Sequence, residues 1–305
     1  TVLQLDAGTI DSRGALDAGT DLTLRSRGAL SLSGIAQGGR DVALQADQSL
    51  DNQARVFAGR TLTLSAASAT NRAQGELSAQ AALDADVRGA LDNAGTLQAG
   101  QALSLSAGSL QQSGRAYAGD TLSVQVAGAL DSRGDLIARH DVRVEAGSVA
   151  SSGQLGSQEG QLLVDSRGDV QLDGSQIAAT ALRVQAVGDL QQSGTTKAQS
   201  LQLSAGRDLS VAGSLQSAAD LQLQAQRALS LDGQAVAGGA AQLSAASIAT
   251  GSKAVLQSAA AITLDGATID SRGALDAGTD LHLRSQGQLT LAGIAQGGGE
   301  DHRVL

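Results

Sequence analysis

Residues 6–39 read DAGTIDSRGALDAGTDLTLRSRGALSLSGIAQGG, and residues 265–298 read DGATIDSRGALDAGTDLHLRSQGQLTLAGIAQGG. At an offset of 259, 27 of these 34 positions are identical, so a long block of the chain is duplicated. A shorter unit lies inside it. The residues that open an apolar-polar alternation after a Gly or Ala corner are Leu22, Val42, Leu62, Leu83, Leu103, Leu122, Val142, Leu162, Leu182, Leu201, Leu221, Ala241, Ile262 and Leu281. Successive anchors are 19 to 21 residues apart, and the thirteen steps add to 259, the offset of the duplication. A fixed period of this length marks a solenoid, whose units bury an apolar face only by stacking on copies of themselves.

Each unit carries two further apolar sites. Seven or eight residues after the anchor come Leu30, Leu50, Leu91, Leu110, Leu130, Val149, Val170, Leu190, Leu209, Leu229, Ile248, Ile269 and Leu289, with Thr70 as the weak member. A third set follows: Ile35, Val56, Leu77, Leu97, Leu136, Leu155, Ile177, Leu215, Val236, Leu256, Leu275 and Ile294, with Ala116 and Thr196 as weak members. Strings such as LTLSA from Leu62 and LQLQA from Leu221 alternate with period two, the period of a strand. Helix is excluded by the same spacing and by Gly in every window.

Three short strands per unit cannot stand alone as hairpins. Wrapped into one coil they place aliphatic side chains inside, and successive coils pair as parallel strands about 4.8 Å apart. The expected architecture is all-β, a right-handed parallel β-helix, the hand following the crossover preference of parallel strands. About fifteen coils over residues 1–298 would form one continuous rod of roughly 70 Å. Residues 299–305 (GEDHRVL) break the pattern and are expected to form an irregular tail, the chain being read as a fragment of a longer protein. The corners DSRG (11–14, 131–134, 270–273), QQSG (111–114, 191–194) and DNAG (92–95) are expected to use Gly, Asn and Asp for the positive φ of tight bends.

Composition agrees with a narrow layered core. The chain has one Phe, one Tyr, no Trp, Met, Cys or Pro, and 39 Gly, so its apolar residues are almost all Ala, Leu, Val and Ile. The absence of Pro spares every inter-coil donor. Regular aliphatic spacing with only 17% charged residues sets the chain apart from disordered Gly- and Ser-rich segments. A net charge of −9 without a basic stripe excludes a nucleic-acid partner. Lack of cysteine excludes a disulfide framework and thiolate metal sites, and is compatible with secretion in an unfolded state. No apolar run is long enough to insert into a membrane.

The string G-x-L-D-[SN]-x-G-x-L-x-A-G-x-x-L-x-L-x-A, seen at Gly89–Ala107 and in variants from about residue 3 to 298, resembles the haemagglutinin repeat of two-partner-secretion exoproteins. These are the filamentous haemagglutinins and the long stalks of contact-dependent inhibition toxins. The resemblance implies secretion across a Gram-negative outer membrane through a partner barrel protein, recognised by an amino-terminal secretion domain outside this chain. It also implies a structural or adhesive shaft at the cell surface, monomeric, which meets a host-cell or bacterial receptor. The alternative it leaves open is a passive stalk of a toxin-delivery protein.

Candidate sites are few. Two Arg-Gly-Asp triplets, Arg133–Gly134–Asp135 and Arg167–Gly168–Asp169, have the composition of integrin ligands, the first being the better candidate. Corner chemistry outweighs that reading, because Arg-Gly recurs without Asp at Arg13–Gly14 and Arg272–Gly273. Phe57 and Tyr117 fall three coils apart in one register. An exposed pair would stack on sugar rings, although packing at a corner is the favoured reading. His140, His282 and His302 lack partners at metal-ligand spacing, so no metal or other cofactor is expected. The even unit length leaves no inserted loop to wall a catalytic groove, and Asp131 with Asp135 reads as a solvated corner rather than an acid pair. No enzymatic activity is expected.

Overall fold

A computed structural model describes residues 1–298; the expected tail at 299–305 lies outside the described residues. Every regular element is a β-strand, and no helix occurs among the described residues. The chain divides into two compact units, Thr1–Gln158 and Glu159–Leu305. Both are built the same way: each turn of about twenty residues contributes a first, a second and a third strand. Examples from one turn are Leu122–Val126, Ala129–Ser132 and Asp135–Ala138. Eight third strands in the first unit and seven in the second correspond to about fifteen turns of β-solenoid.

The register is the one the period dictates. In the first unit Leu3, Leu22, Val42, Leu62, Leu83, Leu103, Leu122 and Val142 stand opposite one another in parallel pairing. In the second unit Leu162, Leu182, Leu201, Leu221, Ala241, Ile262 and Leu281 do the same. Because successive side chains point to opposite faces, fixing one position of a strand fixes the rest of that strand. The sequence LQLQA at Leu221–Ala225 thus alternates buried and exposed without exception.

Five assignments slip by one residue. Ala36, not Ile35, stands opposite Val56 and is fully buried, whereas Ile35 is 51% exposed. Likewise Gln176 rather than Ile177, Ala235 rather than Val236, and Ala295 rather than Ile294 occupy the inward register. On the second strand Ala69, not Thr70, is opposite Leu50 and Leu91. The bulkier residue attracts a sequence reading, but pairing with the coils on either side decides which way a three- or four-residue strand faces. The weak members Ala116 and Thr196 are in register and buried.

Strands are also longer than expected in six turns. Val42–Asn52, Thr61–Asn71, Ala82–Asn93, Leu103–Gln112, Ala241–Thr250 and Ile262–Ser271 each run through the first corner and merge first and second strands. The pairing is carried past that corner by register shifts, for example between Val87 and Ala90. Where the corner reads Ser-x-Gly the strand breaks instead. The Ser26 hydroxyl donates to the Ala29 carbonyl at 2.8 Å and accepts from the Gly28 amide at 3.2 Å, a local turn that competes with the ladder.

Glycine serves the corners for a different reason than positive φ, which no described residue, glycine included, adopts. It permits close stacking. A Cβ on Gly134 would run into the Gly114 carbonyl oxygen and come within 2.7 Å of the Ser113 carbonyl group. At Gly134 the coils leave no room for a side chain, whereas Ala54 and Ala254 are accommodated elsewhere in the same column.

Candidate functional site

Inside the coil, the side chain two residues after each second-strand site points inward by period two. In the first unit this position carries Asn52, Asn71, Asn93 and Gln112, all buried. Their amides form a ladder: Asn52 Nδ2 donates to Asn71 Oδ1 at 2.8 Å, Asn71 Nδ2 to Asn93 Oδ1 at 2.8 Å, and Asn93 Nδ2 to Gln112 Oε1 at 2.9 Å. The ladder ends on a backbone acceptor, the Asp135 carbonyl, 3.2 Å from Gln112 Nε2. Fully paired amides avoid the cost of buried polar groups and fix the stacking of neighbouring coils. This is a structural device, sealed from solvent.

At the corner between third and first strands, ion pairs join successive coils of the first unit. Arg40 Nε lies 2.8 Å from Asp21 Oδ1 and Arg60 Nε 2.9 Å from Asp41 Oδ1. Arg40 also approaches Asp41 at 3.3 Å. Hydrogen bonding from Arg40 holds the Asp21 carboxyl below the usual aspartate range, and Arg60 does the same to Asp41. In the second unit, at the corner between first and second strands, Arg227 holds Asp208 down in the same way.

The third face carries the outward-facing aromatics. Along the first unit Gln37, Phe57, Ser78, Gln98, Tyr117 and Ile137 form one outward row. Phe57 and Tyr117 are therefore three coils apart in one register, as their spacing implies. Both are half-buried on the face of the sheet, not packed at a corner. The Arg55 guanidinium lies 5.9 Å from the centre of the Phe57 ring and 3.7 Å from Glu76.

The first Arg-Gly-Asp lies across the turn into the third strand. Arg133 is ion-paired to Asp131 at 2.6 Å, and Asp135 faces Arg115 of the preceding coil at 3.9 Å. The Gly134 amide donates to the Gln112 carbonyl and the Asp135 amide to the Gly114 carbonyl, each at 3.0 Å. The backbone lies flat against the stack, and the Arg133 side chain remains 70% exposed. In the second triplet, Asp169 accepts from the Asp189 amide at 2.9 Å and from Arg207 at 2.6 Å, so its carboxylate is occupied within the fold. His140 Nδ1 lies 2.8 Å from Asp120, and His282 is in the first strand Leu281–Ser285; His302 is outside the described residues. Among the described residues no three acidic, histidine or cysteine side chains converge on a metal-sized site.

These coils match known sequences in one respect. The haemagglutinin repeat profile aligns with residues 2–56, 57–114, 102–174, 173–252 and 236–293. The chain belongs to the haemagglutinin-repeat family. No curated protein and no solved structure matches it significantly. The haemagglutinin-repeat match and the β-solenoid together make this a filamentous-haemagglutinin-like shaft. Each match covers several coils, so the family unit contains more than one turn. The haemagglutinin-repeat string admits Asn at the ladder position, as at Asn93, but does not require it, and it specifies neither the corner ion pairs nor the rim of polar groups around Phe57. All three escape a search for apolar period. The signal for the ladder is Asn at the inward parity, at 52, 71 and 93; for the ion pairs it is Arg following Gly at 40 and 60, one period after Asp21 and Asp41.

Proposed function

We propose that this haemagglutinin-repeat chain is the adhesive shaft of a large secreted bacterial exoprotein, displayed outside a Gram-negative outer membrane after export through a partner barrel. The observation that carries this reading is the even coil length: anchors recur every 19 to 21 residues with no inserted loop. Such a stack offers long faces for contact and no walled groove for chemistry, so the shaft is read as non-catalytic. No described helix is long and apolar enough to cross a membrane. The turns of each unit are read as part of a monomeric shaft. As the receptor contact within it we assign Arg133, Gly134 and Asp135, the triplet whose carboxylate is held less closely, Asp135 meeting Arg115 at 3.9 Å where Asp169 meets Arg207 at 2.6 Å.

Surface-immobilised protein tested for attachment of host epithelial cells and erythrocytes decides the matter. Saturable attachment, blocked by the soluble chain, supports an adhesive shaft. No attachment at high coating density would leave a passive spacer, the role expected in the stalk of a contact-dependent toxin. In that case a variable toxin domain followed by an immunity gene downstream would identify the alternative.

A further inference from the structure

Only two aromatic side chains occur in 305 residues, and both point outward in one row of the third face. The solenoid does not require them there. The core is filled by aliphatic residues, and the positions between them in the same row are Ser78 and Gln98. Both rings are half-buried, so each keeps part of its flat apolar surface open to a ligand. At the inter-strand spacing, three coils separate Phe57 from Tyr117 by about 14 Å, the span of a short oligosaccharide.

The face beside Phe57 is recessed, and Tyr117 lies one coil beyond the depression. Ser78 belongs to the outward row yet is only 7% exposed, since it lies at the bottom of a depression of about 480 Å³ with Phe57 on one side and Gln98 on the other. Arg55 and Glu76 stand on its rim and pair with each other at 3.7 Å. The rim therefore presents donors and acceptors without a net charge. A sugar ring has an apolar C–H face that suits an aromatic ring and hydroxyls that suit planar polar groups. An anionic ligand would find the only rim cation already compensated by a carboxylate.

We propose that the third face of the first unit binds a neutral oligosaccharide, its sugar faces resting on Phe57 and Tyr117 and its hydroxyls on Arg55, Glu76 and Gln98. This deepens the adhesive reading and rests on it, naming the ligand class that the shaft recognises.

The test is direct because Tyr117 is the chain's only tyrosine and there is no tryptophan. The 305-residue chain is titrated with a panel of neutral tri- and tetrasaccharides of glucose, galactose and N-acetylglucosamine, with sulfated and sialylated counterparts alongside. Tyrosine emission and calorimetry are both followed. The expected result is saturable binding of at least one neutral member with a change in Tyr117 emission. Phe57→Ala and Tyr117→Ala should each weaken it at least tenfold, and Tyr117→Phe should preserve it by calorimetry. If Phe57→Ala lowers the melting temperature, Gln98→Ala, at an exposed position, carries the same test with a smaller loss. No binding to any neutral member, binding only to sulfated or sialylated ones, or affinity unchanged in both alanine variants would overturn the proposal. Cell attachment that persists in the Phe57→Ala/Tyr117→Ala double variant removes the glycan site and leaves the shaft. Absence of attachment by the unaltered chain removes the adhesive reading itself.

Discussion

Asn71 donates its side-chain amide to Asn93 Oδ1 at 2.8 Å from one coil to the next, inside a mainly aliphatic core. Each amide in that ladder both gives and receives, so removing one rung strands two neighbours. Asn71→Ala leaves Asn52 Nδ2 without its Asn71 acceptor and Asn93 Oδ1 without its donor. Each buried group left unpaired costs about 1–3 kcal/mol, although Asn52 Nδ2 keeps a bond to the Ala54 carbonyl at 2.9 Å. The expected outcome is a loss of about 2–4 kcal/mol, read as a lower denaturant midpoint with an unchanged far-UV spectrum at zero denaturant. A midpoint within error of the unaltered chain would show that the ladder adds nothing.

Adjacent positions 35 and 36 separate register from bulk. Ile35→Asp places a charge where the side chain is already half in water, and stability should change by less than about 0.5 kcal/mol. Ala36→Asp buries a carboxylate between Leu16 and Val56 with no counter-ion, and the unit should lose its cooperative melt. Thermal unfolding of the two variants side by side checks the pair. Equal effects would place the strand in the slipped register.

That pair also marks how far the sequence reading goes. The fourteen anchors are legible because a long apolar-polar alternation such as LSLSA offers only one register that buries its leucines. The third strand spans three or four residues, and there Ile35, Ile177 and Ile294 outbid Ala36, Gln176 and Ala295 by size alone. Only pairing with neighbouring coils resolves which of two adjacent residues turns inward. Polar core residues are harder still: Asn52 and Gln112 sit next to corner residues and read as corners until parity is counted through them. The Phe57 and Tyr117 register was legible from spacing, whereas the rim around Phe57 depends on side chains brought together from different coils.

Acid should loosen the corners. Asp21 and Asp41 in the first unit and Asp208 in the second have folded-state pKa values below the ordinary 3.8, each chiefly through a hydrogen bond from an Arg of the following coil. A depressed carboxylate pKa means that the unfolded chain binds more protons, so the stabilisation is fully present above pH 3.8 and is lost as pH falls through the folded values. These pairs are exposed, and salt screens them. Melting temperature should be level from pH 7 to about 5 and fall below pH 4. The fall should be shallower in 1 M salt and in Asp21→Asn/Asp41→Asn. An identical acid profile in that double variant would locate the sensitivity elsewhere.

Tests of the first Arg-Gly-Asp must avoid its glycine. Gly134 stacks against Gly114 and Ser113 so closely that Gly134→Ala forces coils apart, and lost attachment in that variant would report damage to the fold. Asp135→Glu and Arg133→Lys alter only the side-chain ends. Asp135 meets Arg115 at 3.9 Å, and Arg133 is 70% exposed, so both variants should melt within 2 °C of the unaltered chain, about the shift of a sub-kilocalorie change. An integrin contact reads guanidinium and carboxylate geometry, so each variant should then lower attachment of integrin-bearing cells at least fivefold. Asp169→Glu serves as the control, because its carboxylate is taken by Arg207 and the Asp189 amide and should leave attachment unchanged. Undiminished attachment in Asp135→Glu and Arg133→Lys, with the fold intact, would assign the triplet to corner chemistry alone.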